Sequence, residues 1–183
     1  MSRAAIFLDR DGVINRRRVD HVKSWSEFEF LPGTLDALRT LREREAIVVV
    51  VTNQSAVGRG LVSLAELNGI HREMVTAVAA SGGGIERVYY CPHSPSDGCR
   101  CRKPGIDMLR RAAAELDVDL QQSVLVGDSP SDVQAAQSAG CIAVLIAAEE
   151  PPATVEPRVT VVANLVAALA PIAQLLRSEK APC

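Results

Sequence analysis

Carboxylates at two distant points of the chain have the type and spacing that phosphoryl transfer needs. Asp9 and Asp11 lie in the run DRDG, and Asp128 lies much later, in GDSPSD. Asp9 and Asp128, with a backbone carbonyl of Asp11, offer the hard oxygen ligands that Mg²⁺ prefers. Bound Mg²⁺ would offset the repulsion between an attacking carboxylate and a phosphate dianion. These residues predict a magnesium-dependent phosphatase in which Asp9 attacks phosphorus and forms an aspartyl-phosphate.

Other polar residues complete the predicted chemistry. Asp11 is placed to protonate the departing alkoxide and later to deprotonate the hydrolytic water, which would require partial protonation near neutral pH. The Thr52 hydroxyl and the Lys103 ammonium would hold the remaining phosphoryl oxygens. Asp132 has two interpretations: an exposed residue in the first turn of a helix, or a support of the metal site from just outside it.

A second group of candidate ligands lies in the run CPHSPSDGCRC. It supplies three thiolates and one imidazole, which is the ligand set of a structural zinc site: Cys91, His93, Cys99 and Cys101. Four ligands in one short loop would complete a tetrahedron, so we expect structural and not catalytic zinc. The alternative is a set of reduced, unligated cysteines beside an exposed histidine. Ordering this loop would also position Arg102 and Lys103, which follow it directly.

The elements that must position these residues alternate along the chain. Apolar β-rich runs predict strands at 4–8, 47–51, 87–90, 124–126, 142–146 and 159–162, and segments with helical periodicity lie between and after them, the last at 165–176. This order predicts an α/β fold: a three-layer, Rossmann-like parallel sheet with helices on both faces, in a single domain over 1–183. A Pro- and Glu-rich connector is predicted at 147–157. Ligands bind beyond the carboxyl ends of such strands, where Asp9, Thr52 and Asp128 lie.

The composition limits the classes of partner. The chain has 183 residues, 48% of them hydrophobic, and a net charge of −2. That charge gives no broad basic field for nucleic acid, although three consecutive arginines begin at Arg16. There is no apolar run of about 20 residues for a membrane span and no signal-peptide core, so we expect a cytoplasmic protein, by default a monomer. Cys141 is predicted to be buried and Cys183 mobile, with His21 and His71 on the surface.

Four motifs in this order resemble those of the haloacid dehalogenase-like (HAD-like) phosphatases: DRDGV, VVTNQS, RKP and GDSPSD. The resemblance spans roughly residues 4–146 and implies the HAD-like fold. Families of this kind often insert a cap domain between their motifs. Here 40 residues separate Asp11 from Thr52 and 50 separate Thr52 from Lys103, which the predicted helices and strands largely use. We therefore expect no cap domain and an open site whose specificity comes from loops.

Within that group, DRDG joined to CPH and CRCRKP resembles two families. These are the D-glycero-D-manno-heptose 1,7-bisphosphate 7-phosphatases and the histidinol-phosphate phosphatases, and VTNQSAVGRG, VYYCPH and FEFLPG favour the first. The resemblance implies that the sugar or its second phosphate contacts a further set of residues: Asn53, Gln54, Ser55 and Arg102. Arg59 would either help from the same loop or be a solvated turn residue.

Alternatives to the heptose substrate stay open. Ser129 stands where some heptose enzymes have Lys, and only five residues separate His93 from Cys99, a compact form also found in histidinol enzymes. Histidinol phosphate is therefore the alternative substrate. A catalytically inactive, zinc-stabilised binding module is a further alternative, which the intact set of Asp9, Asp11, Thr52, Lys103 and Asp128 argues against.

Overall fold

The computed structural model describes residues 3–147 and 159–178. Runs rich in Val, Ile and Ala form one parallel sheet in the order β3-β2-β1-β4-β5-β6. Its strands are β1 (Ala5–Leu8), β2 (Ile47–Asn53), β3 (Arg87–Cys91), β4 (Val124–Gly127), β5 (Ile142–Ile146) and β6 (Val159–Val162). All six lie where the sequence predicts them. β2 and β3 run further than predicted because Thr52 pairs with Tyr90 and Asn53 with Cys91, so the site residues continue the ladder.

Helices cover both faces of this sheet. One face is covered by α1 (Thr34–Glu43), α3 (Leu64–Ala80) and α6 (Leu165–Ser178), and the other by α4 (Asp107–Leu116) and α5 (Pro130–Ala139). The predicted three-layer architecture is confirmed. A short helix, α2 (Ser55–Gly58), was not predicted because four residues show no helical period. None of the described helices is both long and apolar enough to cross a membrane.

The core is divided between the two faces by the alternation of strand side chains. Ile6 and Leu8 pack with the layer of α1, α3 and α6, whereas Ala5 and Phe7 pack with α4 and α5. All four residues are buried, which explains the continuous apolar run of β1. Residues 148–157 of the predicted connector, and Cys183, lie outside the described residues. A single domain without a cap stays a prediction.

Candidate active site

The carboxyl ends of β1, β2 and β4 meet at one edge of the sheet and bring the predicted residues together. Asp9 directly follows β1, and its backbone N–H donates to the carbonyl of Val126 in β4, over 2.9 Å. Thr52 lies at the end of β2 and is buried, and Asp128 follows β4. The parallel pairing of these strands therefore gathers side chains that are far apart in the sequence.

Lys103 is 3% exposed and lies between two carboxylates. Its Nζ is 3.0 Å from Asp9 Oδ1 and 2.5 Å from Asp132 Oδ1, and it donates to the Val51 carbonyl over 2.7 Å. Burial opposes the ammonium, but the charges of Asp9 and Asp132 outweigh it and raise the pKa of Lys103. The side chain is therefore a buried cation at the edge of the sheet.

Asn53 fixes the position of Lys103. The backbone N–H of Lys103 donates to Asn53 Oδ1 over 3.0 Å, and Asn53 Nδ2 donates to the Lys103 carbonyl over 3.1 Å. This reciprocal pair joins the end of β2 to the segment that follows the cysteine loop. Both polar groups of the Asn53 amide are thus used within the protein, and its predicted contact with substrate stays a prediction.

Asp132 lies in the first turn of α5 and is 2% exposed, so its interpretation as an exposed residue is wrong. Its Oδ2 accepts from the backbone N–H of Ser129 over 3.1 Å and from the Ser129 hydroxyl over 2.5 Å. The carboxylate therefore caps the helix on one side and contacts Lys103 on the other. Gly127 packs so closely that an added Cβ would lie 2.2 Å from Asp132 Cβ.

Three carboxylates form a group that fits a divalent cation. Oxygens of Asp9, Asp128 and Asp132 lie within 4.8 Å of one another. Burial, together with the charges of Asp9 and Asp132, raises the pKa of Asp128 to about 7. Burial also raises the pKa of Asp9. Buried carboxylates crowded in this way need a compensating charge, and Mg²⁺ takes such oxygen ligands.

Gly12 lets the DRDG turn approach this group. Its φ of +89° is in the left-handed region, and an added Cβ would lie 1.8 Å from Asp128 Oδ2. The predicted metal contact of Asp11 through its backbone carbonyl stays a prediction. The Asp11 carboxylate lies outside the group of three, which contains Asp132 instead.

The Asp11 carboxylate is held by three side chains. Arg10 Nη2 donates to both of its oxygens over 2.8 and 2.9 Å, Asn15 Nδ2 donates over 2.9 Å, and Gln54 Nε2 donates over 2.8 Å. Burial alone would raise the pKa of Asp11, but the charge of Arg10 and these hydrogen bonds lower it below the usual value. Asp11 is therefore ionised here, unlike the partly protonated group that the chemistry led us to expect.

The sequence did not predict that Arg10 is a buried partner of this carboxylate, or that a buried histidine contacts Arg10 in turn. Arg10 is 1% exposed, and its Nη1 is 3.3 Å from Nε2 of His71 in α3. The prediction that His71 is a surface residue is wrong, because the ring is 5% exposed. Burial, with the charge of Arg10, lowers the pKa of His71 to about 3, so the ring is neutral. Helical spacing from the buried Leu67 and Met74 was the signal that could have placed it inside.

A run of three arginines lies beside the cluster of three carboxylates. Arg17 Nη2 is 2.6 Å from Asp128 Oδ1, although more than half of its side chain is exposed. Its neighbours pair elsewhere: Arg16 with Glu29 over 2.9 Å and Arg18 with Asp20 over 3.1 Å. The sequence showed this run only as a local basic cluster, and the fold places one member of it against a candidate metal ligand.

The cysteine loop brings its four predicted ligands together. The distances between the sulfurs of Cys91, Cys99 and Cys101 are 3.3 to 3.5 Å, and His93 Nδ1 lies 3.3 Å from Cys101 and 3.6 Å from Cys91. Zinc–sulfur bonds of about 2.3 Å would put tetrahedral sulfurs about 3.8 Å apart. The cluster therefore fits zinc with a small expansion.

This loop also contacts the turn that follows β2. The Gln54 N–H donates to the Cys91 carbonyl and the Gly58 N–H donates to the Pro92 carbonyl, each over 2.8 Å. An added Cβ on Gly58 would lie 2.5 Å from the backbone nitrogen of Ser94, so the two backbones touch. Gln54 Nε2 in turn reaches Asp11 and, over 3.0 Å, the Thr52 hydroxyl. Hydrogen bonds therefore join the cysteine loop to the edge of the sheet that carries Asp9, Lys103 and Asp132, which we call the carboxylate edge.

The other residues predicted to contact substrate differ in their surroundings. Ser55 is buried at the start of α2. Arg59 is exposed beyond the end of that helix. Arg102 is half-buried, and its Nη1 is a buried nitrogen with no hydrogen-bond partner in the described part of the chain. Of these three, Arg102 has the clearest unused donor.

Comparison with known proteins places these features in a family. The D-glycero-beta-D-manno-heptose-1,7-bisphosphate 7-phosphatase of Bordetella bronchiseptica is 48% identical over 136 residues, which are 74% of this chain and 76% of that protein. This chain belongs to that family of HAD-like phosphatases. A D-glycero-alpha-D-manno-heptose-1,7-bisphosphate 7-phosphatase of Mycobacterium bovis is 44% identical over 143 residues, 75% of this chain and 74% of that one. A HAD-hydrolase-like family model matches residues 100–168.

A solved structure of a family member supports the assignment. The crystal structure of D,D-heptose 1,7-bisphosphate phosphatase from B. bronchiseptica, complexed with magnesium and phosphate, has a TM-score of 0.84 and 40% identity to this chain. The alignment covers 93% of this chain and 98% of that one. The predicted fold class, phosphatase activity and magnesium dependence are therefore confirmed for this member of the HAD-like phosphatases, and its Cys/His cluster can hold zinc.

Proposed function

We propose that this HAD-like phosphatase removes the 7-phosphate of D-glycero-D-manno-heptose 1,7-bisphosphate. The names of its relatives in Bordetella and Mycobacterium support this substrate. The observation that carries the chemistry is the position of Asp9, whose Oδ1 is 3.0 Å from the buried Lys103 ammonium and which belongs to the carboxylate group with Asp128. A nucleophile, a fixed cation and a place for Mg²⁺ thus occur at one edge of the sheet.

The first proposed step transfers the phosphoryl group to Asp9. A carboxylate oxygen of Asp9 forms a bond to phosphorus while the bond from phosphorus to the C7 oxygen breaks. Lys103 and Thr52 hold phosphoryl oxygens, and Asp11 gives a proton to the departing alkoxide. Mg²⁺, held by Asp9, Asp128 and the Asp11 carbonyl, would neutralise charge on the transferred group.

The second step releases phosphate. Asp11 takes a proton from water, the water oxygen attacks phosphorus, and the bond to Asp9 breaks. Asp11 must carry a proton in the first step, although three donors keep it ionised in the free protein. A phosphate dianion beside it favours protonation, because like charges raise the pKa of a carboxyl group. We propose that Asp11 becomes protonated when the substrate binds.

Binding of the second phosphate is proposed for residues around the same opening. Arg102 has a buried guanidinium nitrogen without a partner, and an arginine fork binds phosphate oxygens well. Arg59 is exposed on the neighbouring turn and would assist it. Asn53, Gln54 and Ser55 would line the sugar side. In this proposal the cysteine loop, with its zinc, holds the segment that carries Arg102 in place beside the substrate.

We propose further that the chain is a single-domain, uncapped monomer that works in the cytoplasm on a small substrate, without nucleic acid or membrane. The arrangement of Cys91, Cys99 and Cys101 as candidate metal ligands, and not as a disulfide framework, supports a reducing compartment. The net charge of −2 supports the absence of nucleic-acid binding. Light scattering during size-exclusion chromatography tests the oligomeric state, and a dimer mass would contradict that part.

A phosphate-release screen tests the proposed substrate. It compares both anomers of the heptose 1,7-bisphosphate with histidinol phosphate and simple sugar phosphates, with Mg²⁺ and with an Asp9→Asn protein as the blank. We expect the highest kcat/KM on one heptose anomer and heptose 1-phosphate as the product, identified by ³¹P NMR. A strong preference for histidinol phosphate would overturn the substrate and leave the chemistry intact. An Asp9→Asn blank as fast as the parent would overturn the nucleophile.

A further inference from the structure

A buried chain of three side chains connects α3 to the carboxylate that moves protons. Arg10 Nη2 donates to both Asp11 oxygens, and Arg10 Nη1 lies 3.3 Å from His71 Nε2. Arg10 and His71 are both more than nine-tenths buried. Arg10, which joins His71 to Asp11, is 1% exposed, so water cannot easily replace a contact that its guanidinium loses.

His71 is the hydrogen-bond partner of Arg10 Nη1 in the described part of the chain, and Arg10 Nε is buried without one. Removing the imidazole would leave a second buried nitrogen of a charged group unpaired, which is costly. A neutral imidazole with its proton on Nδ1 presents Nε2 as the acceptor that Nη1 needs. The guanidinium is then fixed at one end by His71 and donates with its other end to Asp11.

We propose that His71 is a positioning residue for the reaction: its neutral imidazole holds the Arg10 fork, and the fork holds Asp11 in place for proton transfer. This proposal rests on the proposed role of Asp11. His71 touches neither Lys103 nor Thr52 in the described contacts, and its connection to Thr52 passes through Arg10, Asp11 and Gln54 in turn. Loss of His71 should therefore slow proton transfer more than it weakens substrate binding.

Two substitutions separate positioning from packing. His71→Gln keeps an acceptor at similar reach, whereas His71→Leu fills similar space without one. We expect His71→Leu to lower kcat about tenfold, part of the 10²–10⁴ that a general acid contributes, with KM within about twofold of the parent. His71→Gln should recover most of that loss. Equal losses for both variants, or a KM that rises in step with the loss, would overturn the proposal.

A substrate whose leaving group needs no proton gives a second readout. Nitrophenolate leaves unprotonated, so the burst of nitrophenolate from p-nitrophenyl phosphate in His71→Leu should stay within about twofold of the parent. A burst that falls as far as the sugar-phosphate rate would mean general damage to the site and would contradict positioning. If the screen selects another alkyl phosphate, the same comparison is made with it, so the substrate and His71 are judged separately. An Asp11→Asn variant that keeps kcat would refute the underlying proton role.

The imidazole itself can be observed without turnover. ¹⁵N NMR of histidine-labelled protein at pH 7 should show His71 as a neutral ring with its proton on Nδ1, and the Asn15→Ala variant should keep that signal because Asn15 contacts Asp11 and not His71. A charged ring, or a proton on Nε2, would rule out the acceptor role.

Discussion

The cysteine loop and the carboxylate edge are built in opposite ways. The loop takes all its candidate ligands from residues 91–101, and His93 is exposed. The carboxylate edge takes Asp9, Lys103 and Asp132 from distant parts of the sequence and buries all three. The cysteine cluster comes from one segment that starts at the last residue of β3, so its other ligands can become disordered while the sheet persists, whereas the carboxylate edge exists only in the folded sheet. Substitutions in the cysteine loop should therefore displace the residues that bind substrate, and substitutions at the carboxylate edge should remove groups that take part in the reaction.

Two amides join these regions and make the difference testable. Asn53 pairs with the backbone of Lys103. The backbone N–H of Gln54 donates to the Cys91 carbonyl, and its side-chain Nε2 donates to Asp11 and Thr52. Both amides lie at the end of β2. Disorder in the cysteine loop should therefore also displace residues at the carboxylate edge, because these two amides connect them. The effect on activity should be smaller than that of a substitution at the edge itself.

The largest effect is expected at the edge, from Asp9→Asn. The amide removes the nucleophilic carboxylate while keeping an oxygen near Lys103, so kcat should fall roughly 10⁴-fold or more and the melting temperature should change little. Steady-state phosphate release and thermal denaturation measure the two quantities. Asp20→Asn is the control, because within the described ranges that exposed carboxylate forms ion pairs with Arg18 and Lys23 and lies outside the site. A large fall in melting temperature without loss of kcat would reverse the assignment of chemistry to this edge.

The next effect is expected from loss of a loop ligand. Cys101→Ser should remove the zinc, measured by ICP mass spectrometry, and lower kcat/KM about 10- to 100-fold, because the wall that carries Arg102 and Lys103 loses its support. Cys141→Ser is the matched control, since that buried cysteine lies outside the loop. The zinc assignment would be refuted if the parent protein contained no near-stoichiometric zinc and if a chelator changed neither its activity nor its melting temperature.

The fold was largely predictable from the sequence, and the site was predictable in part. Strands such as 142–146 carry their signal in a local apolar run, and the cysteine ligands carry theirs in local spacing. The burial of Asp132 was left open because it depends on Lys103, which reaches it only in the folded sheet. The predicted surface position of His71 was wrong for a related reason. Its partner Arg10 lies in the first turn of the chain after β1, and no local pattern links it to α3.

A smaller effect is expected where the two regions touch. Gly58→Ala places a Cβ 2.5 Å from the Ser94 backbone nitrogen, so the turn and the cysteine loop must separate. The free energy of unfolding should fall by about 1–3 kcal/mol, as in other overpacked sites. Gly69→Ala in α3 is the control: its Cβ would meet only Arg72 at 3.8 Å, and alanine favours the helix by up to about 1 kcal/mol. Chemical denaturation compares them, and equal stability of the two variants would mean that the contact is not tight.

The smallest effect concerns Arg17, which pairs with Asp128 at the open side of the carboxylate edge. Mg²⁺ needs the same carboxylate, so the arginine competes with the metal, and an exposed ion pair contributes up to about 1 kcal/mol. Arg17→Ala should therefore bind Mg²⁺ roughly two- to fivefold more tightly, measured by calorimetry without substrate. Arg16→Ala is the matched control, because it removes the same charge from a residue that pairs with Glu29. If both variants gained affinity equally, the gain would come from net charge, and the contact with Asp128 would have no special part in it. A gain confined to Arg17→Ala would show that the metal must displace a specific cation, which the cysteine loop, with its own four ligands, does not require.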